Sequence, residues 1–546
     1  MKKYLLYLFT ILVVHTATAT SPQEKYDICV YGESASGVIA AIQAGRLGKK
    51  VILISKTAHV GGLATSGLTA TDMNRNDKVG GITREFYQRI FQYYQQPESW
   101  KNQERDAFFI KSLKRTYKGK NDEREMQWVY ESHIAEKIML DMLREAGVEL
   151  LFNERIDLRK GVKMKKKQIN SLLLESDKQI QAKVFIDASY EGDLLAQSGV
   201  SYTVGRENNT AYNETLNGYR INYSQGTDLS AIDPYIKKGD KSSGLLPLVD
   251  AQPTSENGQA DKKVQAYCYR VTLTDDPNNR VKVQKPANYN ALWYEILARQ
   301  LELNPQTELQ KIITLTPMPN RKTDTNHLDF FGASYDYAEA NYEERAKIEQ
   351  AHRDYALGML WFLEHDERVP AHIRKEMSDW GLAKDEFNES GHFPYQIYVR
   401  EARRMIGTYV MHEKNVSKEN RKNAEHPIGL GSYALDCHYV SRVVDKDGKL
   451  RNEGTIFQPV TPYPISYYAI TPKQEECTNL LVTVCMSASH VAYSSIRMEP
   501  VYMILGQSAA VAASMAIDGS TTVQKVSYEK LADQLIKDQQ IIHLSN

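Results

Sequence analysis

Cysteine is scarce: Cys29, Cys268, Cys437, Cys477 and Cys485 are scattered through 546 residues without metal-ligand spacing. That excludes a disulfide-built scaffold and a cysteine zinc site, and no metal is expected. Cys29 and Cys485 fall inside apolar, strand-like runs and read as buried thiols. An excess of either charge is also missing. With 68 basic residues against 68 acidic ones, no net field draws nucleic acid or an anionic membrane surface, and a small molecule is the expected partner. Past residue 20, no stretch approaches the roughly 20 apolar residues of a spanning helix.

The N-terminus does carry a signal. Lys2 and Lys3 precede an apolar run over 4–14, and Ala17-Thr18-Ala19 has the small-x-small form of a cleavage site. Residues 1–19 therefore read as a signal peptide, removed on export to the periplasm or exterior and leaving no membrane span. The remaining length suggests two or three domains.

The stretch from 26 to 54 is the most informative. An apolar strand (YDICVY) leads to Gly32, a small-residue helix runs from Gly37 to Gly48, and a second strand follows at 51–54. Strand, glycine turn, helix and strand in about thirty residues form a dinucleotide-binding βαβ unit, with the pyrophosphate at the helix N-terminus. The motif is GESASG: Gly32 and Gly37 hold the first and third glycine positions, Ser34 replaces the second, and Ser36 precedes the third. A second departure lies after the second strand, where an acidic residue should bond the adenosine ribose and Ser55 and Lys56 stand instead. A serine hydroxyl can bond a ribose hydroxyl, so Ser55 is the expected substitute.

HVGGLATSG (59–67) is a glycine-rich loop suited to close backbone passage along a flat ligand. Amphipathic helices are predicted over 80–95 and 133–146, a strand over 148–152, and hairpins between 155 and 187. The run KMKKK at 163–167 fits a solvated hairpin edge. The strand VFIDAS (184–189) leads through Gly192 into a helix start, repeating the logic of the first motif. Residues 201–435 change character: rich in Tyr, Asn, Asp and Pro, they read as an inserted α+β region with helices near 289–303 and 337–365. The chain then returns to strand-glycine-helix style. Pro500 suits the first turn of a helix over 501–517, whose Gly506 and alanines permit tight packing against a sheet.

Taken together, strings such as YDICVYGESASGVIAAIQAGRLGKKVILIS, HVGGLATSGLTATD, VFIDASYEGDLLAQSGVSYTVGRE, GHFPYQIYVREARRMIG and CMSASHVAYSSIRMEPVYMILGQSA resemble the secreted bacterial FAD-dependent oxidoreductases, sometimes labelled xanthan lyases. The resemblance spans nearly all of the chain after residue 19. It implies an α/β fold: a Rossmann-like FAD-binding domain of glutathione-reductase type, built from 20–200 and 436–546, with 201–435 inserted as a substrate domain. It also implies that Gly32, Ser34, Ser36 and Gly37 lie at the pyrophosphate and Ser55 and Lys56 at the ribose. Gly61, Gly62 and Leu63 would lie near the flavin, and Asp187, Ala188 and Gly192 beside the adenosine half. Arg497, Met498 and Glu499 would meet the flavin's pyrimidine edge, where a helix N-terminus and Arg497 would stabilise the negative charge of the reduced ring.

A flavin oxidation also needs a base for the proton on the oxygen or nitrogen adjoining the reacting carbon. His490, just before the last long helix, is the first candidate, followed by His392 and His438. Arg400 and Arg404, four apart, would share a helical face with Arg403 nearby and could grip a carboxylate or sugar acid, or could pair with Glu401 and other acids. Tyr395, Tyr398 and Tyr433 could stack on sugars, although a chain with 34 tyrosines offers such residues almost anywhere. His59, ahead of Gly61, is a candidate for covalent flavin attachment. The electron acceptor is left open. Two rivals are a carbohydrate-binding protein or lyase with a degenerate nucleotide fold, and an NAD-dependent dehydrogenase.

Overall fold

A computed structural model describes residues 24–73, 75–112, 125–222, 224–250, 256–419 and 421–544. The leader expected over 1–19 lies outside the described residues. The central sheet has the order β3-β2-β1-β6-β5-β4, from strands β1 (Glu24–Tyr31), β2 (Val51–Ile54), β3 (Glu149–Leu151), β4 (Val162–Lys165), β5 (Gln168–Leu173) and β6 (Gln179–Asp187). A seventh strand, β7 (Leu480–Val482), arrives from near the C-terminal end and pairs with β6. β3, β2, β1, β6 and β7 run parallel, and β4 and β5 close the other side as antiparallel hairpins. One sheet is therefore assembled from both ends of the chain.

Register fixes where a ligand can sit. Tyr31 lies opposite both Ile54 and Asp187, and Asp187 lies opposite Val482. The parallel strands thus end on one line, and the crevice beyond their C-terminal ends is where open α/β sheets bind ligands. β1 and β2 are buried on both faces, which explains their near-continuous apolar runs.

Helices α1 (Ala35–Arg46), α2 (Gly81–Tyr93), α3 (Ser132–Glu145), α4 (Tyr342–His365), α5 (His490–Ile496) and α6 (Glu499–Asp518) complete the parts needed below. The expected close packing of α6 occurs against α1 as well as the sheet: a Cβ at Gly506 would collide with the Ser36 carbonyl oxygen. The expectation that no later stretch is long and apolar enough to cross a membrane is corrected by α6, which passes on length and hydropathy. Its residues are nearly all buried, as in a core helix. All five cysteines are free and buried.

The segment read as an insertion carries a five-stranded antiparallel sheet, Arg280–Val281, Gly381–Ala383, Val271–Thr274, Lys322–Asn326 and Thr314–Met318 in spatial order. It also contributes α4, whose start is a capping box: Asn341 accepts from the Glu344 amide, and Glu344 accepts from the Asn341 amide. The helical face predicted for Arg400, Arg403 and Arg404 does not form. Residues 400–403 have no regular structure, and Arg404 belongs to a short strand, Arg404–Met405, paired with Tyr202–Thr203.

Candidate functional site

At the end of β1 the chain turns through Gly32, at φ +110°, where a Cβ would collide with the Ser189 backbone. A Cβ at Gly37 would likewise meet the Gly32 carbonyl. Ser34 is the N-cap of α1: its hydroxyl accepts from the Gly37 amide at 3.3 Å and donates to Ala188 O at 2.6 Å. A serine in the second glycine position therefore joins the turn to the end of β6. Ser36 donates to Thr483 Oγ1 at 2.8 Å, adding the end of β7. The loop that follows β2 folds back on this turn, with the Gly61 amide donating to Glu33 O at 2.7 Å.

A cleft of about 180 Å³, partly open to solvent, lies at these strand ends and is lined by Tyr31, Gly32, Glu33, Lys56, Ser189 and Glu191 among others. Ser55 is not among its lining residues. Its hydroxyl donates within its own turn, to Thr57 O at 2.9 Å and His59 O at 2.8 Å, and accepts from the Thr57 amide. Ser55 thus has no free hydrogen for a ribose, contrary to expectation. Lys56 pairs with Glu191 at 2.7 Å. Asp187 accepts from Ser189 Oγ at 2.6 Å and from the Leu195 amide at 2.8 Å. Burial raises its pKa to about 6 against those bonds, so it organises the turn through Ala188 and Gly192.

Further in, Gly61 and Gly62 take positive φ, and a Cβ on Gly62 would collide with Tyr190. The Leu63 amide donates to Tyr190 Oη at 3.0 Å, and that hydroxyl donates to Glu499 Oε1 at 2.9 Å. Burial pushes Glu499, at the start of α6, up to about 8, and among the described residues its Oε2 has no hydrogen-bond partner. Met498 is the buried N-cap of that helix.

Arg497 closes a circuit of side chains. Its Nη1 donates to Tyr398 Oη at 2.6 Å and its Nη2 to Asp436 O at 2.7 Å. The Arg400 guanidinium lies 4.6 Å from the Tyr398 ring centre and 2.8 Å from Asp329 Oδ1. Asp329 Oδ2 is 2.6 Å from His438 Nδ1, whose Nε2 faces Asp436 at 3.8 Å. Burial would raise the Asp329 pKa, but Arg400 and His438 hold it well below the carboxylate range. Asp72, which the sequence did not single out, belongs to the same neighbourhood. Burial raises its pKa to about 6, Arg270 and Arg497 oppose the rise, and Asp324 and Asp436 add to it.

His490 does not join this circuit. Its Nδ1 lies 2.8 Å from Glu401 Oε2; burial disfavours its charge, yet Glu401 and Cys437 raise it to about 10. Fully buried and paired with Glu401, His490 sits as the structural partner of that carboxylate. His392 is half-buried in left-handed backbone, with Nδ1 3.3 Å from Glu386 O. Arg400 is fully buried and bound to Ala266 O, Cys268 Sγ and Asp329, so it does not present a fork to a substrate carboxylate. Arg404 is spent on Glu207 and Glu401, and Arg403 on Asp193. His59 has both ring nitrogens engaged, by Glu136 at 3.0 Å and Glu389 at 2.9 Å, and stacks on Tyr395 at 3.9 Å. Among the described residues, Glu131, His133 and Glu386 converge as metal ligands would, but Lys322 Nζ lies 2.7 Å from Glu131 and 2.9 Å from Glu386, in the place a cation would take.

A family model described as FAD dependent oxidoreductase matches residues 27–535. The chain belongs to that family. Among solved structures, this oxidoreductase is similar to the L-proline dehydrogenase from P. horikoshii at 15% identity, over 34% of this chain and 59% of that one, with a TM-score of 0.23. The L-amino acid deaminase from Proteus vulgaris matches at 12% over 34% and 52%, with a TM-score of 0.23. The amino acid oxidase NikD of nikkomycin biosynthesis matches at 14% over 34% and 57%, with a TM-score of 0.22. The oxidoreductase thus spans less than two thirds of the length of each of these. No match to a curated protein was found.

The cofactor is FAD, and the residues present fit it. Gly32, Gly37 and Gly62 let the turns pack so closely on Ser189, the Gly32 carbonyl and Tyr190 that no Cβ fits, which holds the backbone tight at the strand-end crevice where α1 begins with its serine cap. Two buried polar atoms without partners among the described residues, Arg497 Nε and Glu499 Oε2, remain at the inner end.

Proposed function

We propose that the oxidoreductase oxidises a small, sugar-derived alcohol, with the substrate held against the Tyr398–Arg497 wall and His438 as its proton acceptor. The carrying observation is the circuit that ties Arg497, beside the start of α6, to the His438–Asp329 pair. Bound there, FAD would supply the two-electron acceptor for an oxidation. Arg497, Met498 and Glu499 would hold its pyrimidine edge, Gly61, Gly62 and Leu63 its ring, and Gly32, Ser34 and Gly37 its pyrophosphate. Asp329 holds His438 in one tautomer, with the proton on Nδ1 and Nε2 free to take the hydroxyl proton. Arg400 keeps Asp329 ionised and acts as a positioning residue. Asp436 and Tyr398, each bonded to Arg497, keep the guanidinium fixed beside developing negative charge.

Lys2, Lys3, the apolar run over 4–14 and the Ala17-Thr18-Ala19 site support export to the periplasm or exterior. Residues 201–435 serve as the substrate domain, since Tyr398, Arg400 and Asp329 all come from it. The test begins with the visible spectrum of the purified protein, followed by anaerobic bleaching against a panel of sugars, sugar acids and alcohols. Bleaching by a member of the panel, lost in His438→Ala while the flavin spectrum persists, supports the proposal. Unimpaired bleaching in His438→Ala removes His438 as the base.

A further inference from the structure

The acidic residue that should end β2 and bond the adenosine ribose is absent, and Ser55 in its place spends its hydroxyl within its own turn. Lys56, the next residue, is a cation already paired with Glu191. A carboxylate nevertheless stands at this position in space. Glu33, the second residue of the glycine turn, is buried, lines the strand-end cleft, and receives the Lys56 amide on Oε2 at 3.3 Å. Among the described residues no other residue donates to Oε1 of Glu33. Glu191, the other acid nearby, is already engaged by Lys56 Nζ at 2.7 Å and Tyr337 Oη at 3.2 Å.

We infer that Glu33 replaces the missing ribose clamp: its carboxylate, delivered from the β1–α1 turn instead of from the end of β2, accepts hydrogen bonds from the adenosine ribose hydroxyls of FAD. Placement supports this. The Gly32–Glu33–Ser34 turn is pinned on both sides, by Ser34 to Ala188 and by the Gly61 amide to Glu33 O, so the Glu33 side chain leaves a fixed backbone. Its Oε2 is tied to the Lys56 amide, two residues beyond the end of β2, next to where a clamp attached to that strand would begin. A carboxylate facing the pyrophosphate would repel it, whereas one facing a ribose diol accepts two neutral donors. Burial raises the Glu33 pKa, opposed by nearby Lys56. The lysine thus helps keep the acceptor ionised.

The inference rests on the adenosine half of FAD lying in this cleft, and the experiment separates the two. FAD is removed from the purified protein, rebinding is followed by flavin fluorescence, and ADP and 2′-deoxy-ADP are used as competitors. The wild-type protein is expected to bind ADP more tightly than 2′-deoxy-ADP. In Glu33→Gln, FAD affinity falls by about tenfold or more, as expected for a lost charge-assisted hydrogen bond, and the two competitors become equivalent. Ser55→Ala keeps the wild-type preference. The ratio of two competitors on one protein is insensitive to a general loss of stability; Glu33→Asp, with a shorter reach, gives an intermediate ratio should the glutamine variant fail to fold. A Glu33→Gln protein that keeps the preference overturns the clamp while leaving the adenosine placement intact. A wild-type protein from which ADP cannot displace FAD overturns the placement and the clamp together.

Discussion

His438 Nδ1 lies 2.6 Å from Asp329 Oδ2, although 109 residues separate them, and the other oxygen of the same carboxylate is 2.8 Å from Arg400. An ionised partner on one ring nitrogen fixes the tautomer and leaves the other nitrogen as a proton acceptor. Asp329→Asn removes that control without removing bulk. Once a substrate has been found by bleaching, kcat for Asp329→Asn should fall by about 10²- to 10⁴-fold, the range for a lost general base, with FAD affinity unchanged. The double variant with His438→Ala should be little slower than either single variant, because the two act as a unit. Additive losses in steady-state kinetics would mean that the residues act separately.

The His490–Glu401 pair predicts a pH dependence of stability rather than of chemistry. His490 rises from 6.5 to about 10 on folding. Its contribution is therefore complete below about pH 6.5 and is lost as pH rises towards 10. Glu401 moves from 4.5 to about 2, because His490 and Arg404 outweigh the effect of burial. Its contribution is complete above about pH 4.5 and is lost as pH falls towards 2. Thermal unfolding should show the pair's full effect between pH 4.5 and 6.5. His490→Gln should destabilise by about 3–5 kcal/mol there, as for a buried pair deprived of one partner, and its deficit should shrink above pH 8. A deficit independent of pH would show that His490 packs without its charge.

The βαβ unit, both glycine turns and the long helices were legible in the sequence because each rests on local chemistry: periodicity, caps, and glycines with no room for a Cβ. Long-range pairing was not. Nothing local marks His490 as a structural cation, since Glu401 is 89 residues away. Likewise, the four-residue spacing of Arg400 and Arg404 fits a helix, yet tertiary partners such as Asp329 and Glu207 draw the chain into extended structure. Ser34 and Ser55 looked like two weakened cofactor contacts. Only the hydrogen bonds distinguish them, one being a helix cap and the other closed on its own turn. Asp72 carried no signal beyond its place after the HVGGLATSG loop, and its environment comes from Arg270, Asp324, Asp436 and Arg497, all distant in sequence.

Covalent attachment of FAD through His59 would require a free ring nitrogen aimed at the isoalloxazine, and both nitrogens are held by glutamates. Acid precipitation of the flavin-loaded protein should therefore release all flavin to the supernatant and leave a colourless pellet. Fluorescence retained by the washed pellet would identify a covalent link and show that the Glu136 and Glu389 contacts give way when FAD binds.

The packing of α1 on α6 couples stability to cofactor affinity. α1 starts at the Ser34 cap, and Gly506 of α6 passes so close to Ser36 that a single methyl group would strike its carbonyl. Backbone cannot rotate aside as a side chain can, so Gly506→Ala must move one helix relative to the other. Overpacking of this kind costs about 1–3 kcal/mol. A shift at Ser36 would also disturb the Ser36–Thr483 and Ser34–Ala188 bonds that fix the turn. Gly506→Ala should therefore lower the melting temperature of the FAD-free protein and weaken FAD binding together, as measured by thermal denaturation and fluorescence titration. Loss of stability with unchanged FAD affinity would mean that α6 yields and α1 stays fixed, in which case the cofactor turn is held by the sheet alone.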